Sequence, residues 1–111
     1  MLIFKGLVKG QELDVLIDSR AVGNFINKNL IDKLKILTKP AGKNGGVVTA
    51  DGTTLSIDSI ATKLPLKIQK YWEHLDFEVA PLGDHDLILG KPWLIWYNSH
   101  INWTKNEVTL I

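Results

Sequence analysis

The sequence predicts a single, mainly β domain with one or two short helices. Apolar and polar residues alternate through most of the chain, and turn signals containing glycine separate the alternating segments. Only a small part of the chain shows a helical repeat. With 111 residues, 45% of them hydrophobic, the chain is long enough for one compact core and too short for two. We therefore expect residues 1–111 to form one domain.

The first two alternating segments, residues 2–9 and 12–17, predict a β-hairpin whose turn is formed by Gly10-Gln11. The second strand of this hairpin ends at Asp18, and a turn of mostly small residues follows it. A carboxylate at the end of a strand, next to such a turn, is placed where a chain can present an acid to a cleft.

A helix of two to three turns is predicted to begin at Asn24, which is a favourable N-cap residue. Apolar residues then recur at four-residue spacing and form one stripe, made by Ile26, Leu30 and Leu34 with Phe25 and Ile31 beside them. We expect this stripe to pack on the sheet behind the turn that follows Asp18. Residues 38–46 are rich in proline and glycine and predict a loop.

A second hairpin is predicted at residues 47–57, because Asp51-Gly52 lies between two short β-prone segments. A two-residue type I′ turn needs positive φ at both central residues, which Asp-Gly tolerates. Two further strands are predicted at residues 58–69 and 72–79, and Pro65 indicates an edge or a bulge in the first of them.

The C-terminal third predicts a turn, a buried strand, a helix and a closing hairpin. Residues 81–86 are turn-forming, and residues 87–90 form a short apolar run that ends in glycine. Pro92 is favourable in the first turn of a helix, which we expect to follow. Residues 101–103 and 107–111 predict the two strands of the last hairpin.

The composition excludes several functional classes. The absence of cysteine excludes disulfides, cysteine–zinc sites and thiol catalysis. His74, His85 and His100 lack the spacing of metal ligands, so we predict no metal site. No apolar run approaches the ~18 residues needed to span a membrane, so we predict no membrane partner.

The charge is small overall but unevenly distributed. The net charge is +1, with 11 Lys/Arg against 6 Asp/Glu in residues 1–70 and 2 against 6 in residues 71–111. This asymmetry favours self-association over a nucleic-acid surface, which needs a clustered basic stripe. Ordinary solvated charge is the simpler alternative.

Two segments carry a resemblance to a known family. Asp18-Ser19-Arg20-Ala21, after apolar residues, resembles the apolar-apolar-Asp-Ser/Thr-Gly-Ala loop of retropepsin-like aspartic proteases, with Arg20 in place of the glycine. The second segment resembles the family pattern Ile-Leu-Gly-x-x-Trp-Leu and consists of Ile88-Leu89-Gly90 followed by Trp93-Leu94. In this order, the two segments resemble in particular the protease domain of gypsy-class LTR retrotransposon polyproteins.

The resemblance implies a retropepsin-like acid-protease fold: a closed, barrel-like sheet with one or two short helices, assembled as a C2 homodimer. It assigns residues 18–23 to the Asp loop and residues 88–90 to the segment that threads beside it. It also assigns hairpin 47–57 to a flap over an extended polypeptide substrate, contacting it through Ala50, Asp51, Gly52 and Thr53. On the residues alone, an ordinary sheet hairpin is the alternative.

The resemblance also implies a function: an aspartic endopeptidase that processes a retrotransposon polyprotein with Asp18 from each of two subunits. Ser19, Arg20 through its backbone N–H, and Ala21 would support this pair, with no metal or organic cofactor, in the cytoplasm or in virus-like particles. Arg20 weakens the expectation of activity, because a guanidinium beside Asp18 lowers a carboxylate pKa and a long side chain obstructs the cleft. The alternative is an inactive domain that serves in dimerisation or peptide binding.

Overall fold

A computed structural model of the chain describes residues 2–41, 47–50, 53–91, 93, 101–102 and 107–108. The first part of the chain forms β1 (Leu2–Val8), β2 (Gln11–Ile17), β3 (Phe25–Asn27), α1 (Lys28–Lys33) and β4 (Lys39–Pro40). The second part forms β5 (Val47–Ala50), β6 (Thr53–Ser56), β7 (Ser59–Ile68), β8 (Tyr71–Ala80), β9 (Leu87–Leu89), β10 (Ile101–Asn102) and β11 (Glu107–Val108). The structure is mainly β, as predicted.

Six strands close into a barrel in the order β1-β2-β9-β3-β8-β7, because β7 pairs back onto β1. The short β4 pairs with Ser59 and Ile60 at the start of β7. Two pairings inside the barrel are parallel, β2 with β9 and β3 with β8, and they join segments far apart in the sequence. β9 lies between β2, to which it is parallel, and β3, to which it is antiparallel, and these two strands flank the Asp18 turn.

The barrel interior holds the main hydrophobic core. Its members are every second residue of each strand, for example Val15 and Ile17 of β2, Phe77 of β8 and Leu89 of β9. Each such side chain, fully withdrawn from water, contributes roughly 1.5–3 kcal/mol to folding. Leu30 of α1 is buried against this core as well, so the helix covers the barrel as the sequence predicts.

A second, smaller apolar group lies on the outer face of the barrel, and we call it the outer cluster. Phe25 of β3, Ile57 after β6 and Ala80 of β8 are its buried members. Partly buried residues pack against them, namely Ala21, Ala41, Leu82 and Ile88. The outer cluster therefore joins the turn after Asp18 to the base of the hairpin β5–β6.

The first hairpin forms as predicted, but its turn differs from the prediction by one residue. Val8 pairs with Gln11, which leaves Lys9-Gly10 as the two turn residues instead of Gly10-Gln11. Both turn residues have positive φ, 50° for Lys9 and 78° for Gly10. A two-residue turn of this kind matches the twist of the strands, and here it accepts a lysine at its first position.

The predicted start of the helix is wrong. Residues 25–27 form β3, and α1 begins at Lys28 with Asn27 as its N-cap, whose side chain accepts a hydrogen bond from the backbone N–H of Asn29. Ile26 was assigned to the helical stripe but is buried in the barrel core. Pairing of β3 with both β8 and β9 overrides the local helical pattern, because it satisfies the backbone groups of residues 25–27 inside a sheet.

The hairpins of the second half follow the predicted order. β5 pairs with β6 so that Ala50 faces Thr53, and the predicted turn residues Asp51 and Gly52 lie outside the described residues. β7 and β8 form the long hairpin, with a bulge between Ala61 and Leu64 close to Pro65. The loop prediction for residues 38–46 is wrong at Lys39–Pro40, which pair with β7 as β4.

The C-terminal part agrees with the prediction where it is described. β9 is the predicted buried run, Lys91 and Trp93 have helical backbone, and β10 pairs with β11 in a closing hairpin. The remainder of the helix predicted after Pro92 lies outside the described residues. Within the described part of the chain, no helix has the length and hydropathy that crossing a membrane requires.

Candidate active site

Asp18 lies at the end of β2, where two strands fix its backbone. Ile17 pairs with Leu89 of β9, and the N–H of Asp18 donates to the carbonyl of Leu89 over 3.1 Å. Side chains alternate along a strand, so Asp18 follows the direction of Leu16 and lies on the outer face, while Ile17 enters the core. The strand therefore delivers the carboxylate to the same face as the outer cluster.

The turn after Asp18 folds back on the carboxylate. The N–H of Ala21 donates to the backbone carbonyl of Asp18 over 3.1 Å, and the N–H of Arg20 donates to Asp18 Oδ1 over 2.9 Å. An aspartate that accepts from the backbone two residues later stabilises such a turn. Ser19 is exposed at its tip, and Ala21 packs into the outer cluster.

Gly90 locks the Asp18 turn against the end of β9. A Cβ atom at Gly90 would lie 2.3 Å from the carbonyl oxygen of Gly23 and 2.5 Å from that of Ala21, so only glycine fits between them. The N–H of Gly90 donates to Asn24 Oδ1 over 3.1 Å, and the N–H of Lys91 donates to the carbonyl of Ala21 over 2.8 Å. The two segments that carry the resemblance are thus in direct contact.

Arg20 turns its side chain towards Asp18. Its Nε lies 3.3 Å from Asp18 Oδ1, the same oxygen that accepts from its backbone N–H. The Arg20 side chain is 77% exposed and the Asp18 side chain 20% exposed. The Arg20 guanidinium group therefore contacts one carboxylate oxygen of Asp18.

The pKa of Asp18 reflects two opposed influences. Burial is the largest single influence and raises the pKa, because the charged form loses hydration. The hydrogen bonds from the backbone N–H and the side chain of Arg20, with the positive charge of Arg20, act in the opposite direction. Together they outweigh burial and hold the pKa of Asp18 below its ordinary value, so Asp18 is ionised at neutral pH.

The neighbourhood of His85 is a structural turn. Asn27 is buried, and its Nδ2 donates to the carbonyls of Gly83 and His85. Asp86 Oδ2 accepts from the backbone N–H of Asp14 over 3.0 Å, which ties this turn to β2. Among the described residues, no three His, Asp or Glu side chains are grouped closely enough to hold a metal ion.

Sequence reasoning missed two residues beside the site. Asn24 was predicted as a helix cap, but its side chain accepts from Gly90 and its carbonyl accepts from the N–H of Glu78 over 2.9 Å. Glu78 is half-buried on β8, next to Gly23. Nothing in the alternating pattern of residues 72–79 distinguished Glu78 from a solvent-facing charge, because its surroundings come from β3 and the Asp18 turn.

Comparison with known proteins agrees with this geometry. The model of the PEG10/RTL1 protease domain matches residues 14–110, which include Asp18 and the segment 88–90. The crystal structure of the retroviral protease-like domain of Ddi1 from Leishmania major superimposes with a TM-score of 0.77 at 20% identity, over 100% of this chain and 90% of that chain. EIAV protease in complex with the inhibitor HBY-793 superimposes with a TM-score of 0.62 at 19% identity, over 86% of each chain. These matches confirm the predicted retropepsin-like fold.

Proposed function

Because the chain belongs to the family of PEG10/RTL1 protease domains, whose model spans residues 14–110, we propose that it is an aspartic endopeptidase. The observation that supports this most directly is the geometry of Asp18. Its carboxylate is fixed at the end of β2 by the N–H of Arg20 and lies on the outer face beside the Gly90 contact. We propose as substrate an extended polypeptide in the cytoplasm, specifically a polyprotein of a gypsy-class LTR retrotransposon.

The proposed chemistry needs two copies of Asp18, because the chain contains one Asp-Ser-x-Ala motif. In a C2 homodimer the two carboxylates face each other and share one proton, since two like charges this close do not both ionise cheaply. The ionised carboxylate takes a proton from a water molecule, which attacks the peptide carbonyl carbon. The protonated carboxyl gives its proton to the carbonyl oxygen, which forms a tetrahedral diol. The carboxyl that took the water proton then gives it to the amide nitrogen, the C–N bond breaks, and one hydroxyl proton returns to the other carboxylate, which restores the shared proton.

The remaining residues of the turn have supporting roles in this proposal. Ser19 is exposed beside Asp18, where its hydroxyl can hydrogen-bond across the dimer axis. Ala21 fixes the turn through the outer cluster. The hairpin β5–β6 would close over the substrate, since its base at Ile57 packs into the same cluster. Ile88 and Leu89 hold the turn from β9, together with Gly90.

A second candidate function rests on the contact between Arg20 and Asp18. A guanidinium on each carboxylate favours the doubly ionised pair, which lacks the proton that the carbonyl oxygen needs. The Arg20 side chain also contacts the carboxylate directly, with Nε 3.3 Å from Asp18 Oδ1. The domain would then be catalytically silent and would serve in dimerisation or in holding a peptide.

The deciding experiment is cleavage of an unstructured protein substrate from about pH 3 to pH 8 by the wild type, Asp18→Asn, Arg20→Gly and the double variant. We expect Arg20→Gly to cleave faster than the wild type, and both proteins that carry Asp18→Asn to be inert while folded. Inhibition by a statine-type peptide is the second control. If Arg20→Gly is folded and dimeric but inert, the binding-module function replaces the endopeptidase.

Assembly provides an independent test. We expect a concentration-dependent dimer in sedimentation experiments, strengthened by a statine-type peptide that spans both subunits. A strict monomer at high concentration, with no shift when the peptide is added, would rule out a pair of aspartates.

A further inference from the structure

Glu78 lies on the same outer face of the barrel as Asp18. Paired residues of neighbouring strands share a face, and the pairing links Leu16 to Ile88, Ile88 to Phe25, and Phe25 to Glu78. We call these four residues the outer row. Asp18 is two residues beyond Leu16 in the same strand direction and therefore belongs to this face. This face therefore carries both carboxylates, and the side chains between them are Leu16 and Phe25, which are buried, and Ile88, which is half-buried.

The turn after Asp18 is shaped around the Glu78 side chain. A Cβ atom at Gly23 would lie 2.9 Å from Glu78 Oε2 and 3.2 Å from the ring of Phe25, so the glycine leaves space that the carboxylate occupies. The backbone N–H of Glu78 donates to the carbonyl of Asn24 over 2.9 Å. Glu78 is thus held next to the end of the Asp18 turn rather than in open solvent.

The Glu78 carboxylate has no hydrogen-bond or ion-pair partner within the part of the chain that the structure describes. Burial raises its pKa, and no neighbouring charge acts on it strongly enough to offset this. A half-buried anion without a partner is costly, because it has lost hydration and gained no compensating contact. A donor with positive charge is the group that complements it best.

The described cations of the chain do not supply that charge. Arg20 contacts Asp18 with its guanidinium. Lys39 of β4 faces Ile60 of β7, which in turn faces Glu78. No ion pair joins Lys39 to Glu78 in the part of the chain that the structure describes. Among the described residues Glu78 therefore has no cationic partner, and a bound Lys or Arg side chain would supply one.

We propose that Glu78 selects a Lys or Arg side chain of the polypeptide that lies in the Asp18 cleft. This inference rests on the proposed function and deepens it, because it names the substrate class: extended segments that carry a basic residue at one position. An extended peptide that runs along the outer face turns alternate side chains towards the sheet. The side chain that reaches the Glu78 carboxylate beside Gly23 meets an anion with which no described cation is paired.

The test is a binding series with statine-type peptides, in which one residue at a time is Lys, Gln or Glu. Binding is measured for the wild type and for Arg20→Gly, so that the readout does not depend on turnover. At one position the Lys peptide should bind about fivefold to tenfold more tightly than the Gln peptide, the range expected of a half-buried ion pair. This preference should shrink when salt is raised.

Two variants and one matched control separate charge selection from general effects. Glu78→Gln keeps the size of the side chain and should abolish the preference for Lys over Gln at that position. Glu78→Lys should reverse it, so that the Glu peptide binds best. Glu12→Gln removes the same charge from an exposed position at the far end of β2, and it should leave the preference intact.

The outcomes keep the two proposals apart. If peptides bind but Glu78→Gln and wild type prefer Lys equally at every position, the role of Glu78 is disproved and the endopeptidase proposal stands. If no peptide binds to the wild type or to Arg20→Gly, both proposals fail together. If Glu12→Gln also removes the preference for Lys, the preference depends on the net charge of the protein. The assignment to Glu78 would then be overturned.

Discussion

Asp18 and Glu78 are two carboxylates on one face of one sheet, and their pKa values shift in opposite directions. Burial raises the pKa of both side chains. For Asp18 the donors and charge of Arg20 reverse the effect of burial, whereas Glu78 has no such neighbour among the described residues. The comparison shows that burial alone does not decide the charge of a group on this face; the adjacent donors do.

Backbone conformation explains why only Asp18 has such donors. In a turn, backbone N–H groups are not used by a sheet, and the N–H of Arg20 is free to reach the carboxylate two residues earlier. Glu78 lies inside β8, where the ladder uses the neighbouring backbone groups and its own N–H donates to Asn24. A carboxylate in a strand must therefore find its partner in a side chain or a ligand.

The largest expected effect contrasts the two carboxylates in catalysis. In the Arg20→Gly background, Asp18→Asn should lower kcat/KM by about a thousandfold or more, because in the proposed mechanism Asp18 activates the water molecule. Glu78→Gln should change kcat/KM by less than about threefold on a substrate without basic residues. Parallel rate measurements with both variants check this. A comparable loss in both would make Glu78 part of the catalytic machinery.

The glycine beside each carboxylate gives the next largest contrast. Gly90→Ala should reduce the free energy of unfolding by about 3 kcal/mol, because its Cβ meets rigid carbonyl groups of Gly23 and Ala21. Gly23→Ala should cost about 1 kcal/mol, because the end of the flexible Glu78 side chain can move away. Urea unfolding of both variants at one protein concentration measures the difference. Equal costs would contradict the packing described for Gly90.

Two properties of the Arg20 side chain, its positive charge and its size, can be tested separately for their effect on activity. Arg20→Gln removes the charge and keeps a long side chain, whereas Arg20→Gly removes both. Since the Arg20 charge lowers the pKa of Asp18, either variant should move the pH range of activity upwards.

If the size of the side chain also obstructs the cleft, Arg20→Gly should have a kcat/KM about tenfold higher than Arg20→Gln, with each variant measured at its own pH optimum. Arg20→Lys is the matched control, because it retains the charge and should retain the acidic range. An unchanged pH profile in Arg20→Gln would show that the guanidinium leaves Asp18 when substrate binds.

Much of the fold was predictable because it follows from local patterns. Period-two alternation located β1, β2, β7 and β8, and the Asp51-Gly52 signal located the pairing of β5 with β6. The errors occurred where distant segments decide the outcome. Residues 25–27 have a helical pattern but become a strand, because β8 and β9 offer parallel and antiparallel partners to them.

The site was predictable to a similar degree. The Asp18 motif and the segment 88–90 were recognisable as patterns, and the structure brings them into contact through Gly90. Glu78 was not predictable, because its environment depends on Gly23, which is 55 positions away in the sequence (78 − 23). The alternation of apolar and polar residues in β8 does not indicate that the distant Asp18 turn leaves space for the Glu78 carboxylate.

The smallest expected effect concerns the pH dependence of stability, where the two carboxylates should act with opposite sign. Folding lowers the pKa of Asp18, so the ionised Asp18 stabilises the folded state above about pH 4. This stabilisation is lost as the pH falls through the pKa of the folded state. Folding raises the pKa of Glu78, so the protonated Glu78 stabilises the folded state below about pH 4. This stabilisation is lost as the pH rises through the pKa of the folded state.

As the pH rises from about 3 to 7, Asp18→Asn should therefore lose stability relative to the wild type, and Glu78→Gln should gain stability relative to it. Each change should be less than about 1 kcal/mol, because both carboxylates are partly exposed. Urea midpoints at a series of pH values and one protein concentration provide the two difference curves. Glu12→Gln is the control for the loss of one negative charge from an exposed position. If the two difference curves have the same slope with pH, one of two contacts has been misjudged. Either Arg20 does not contact Asp18 in solution, or Glu78 is paired with a cation of the same chain.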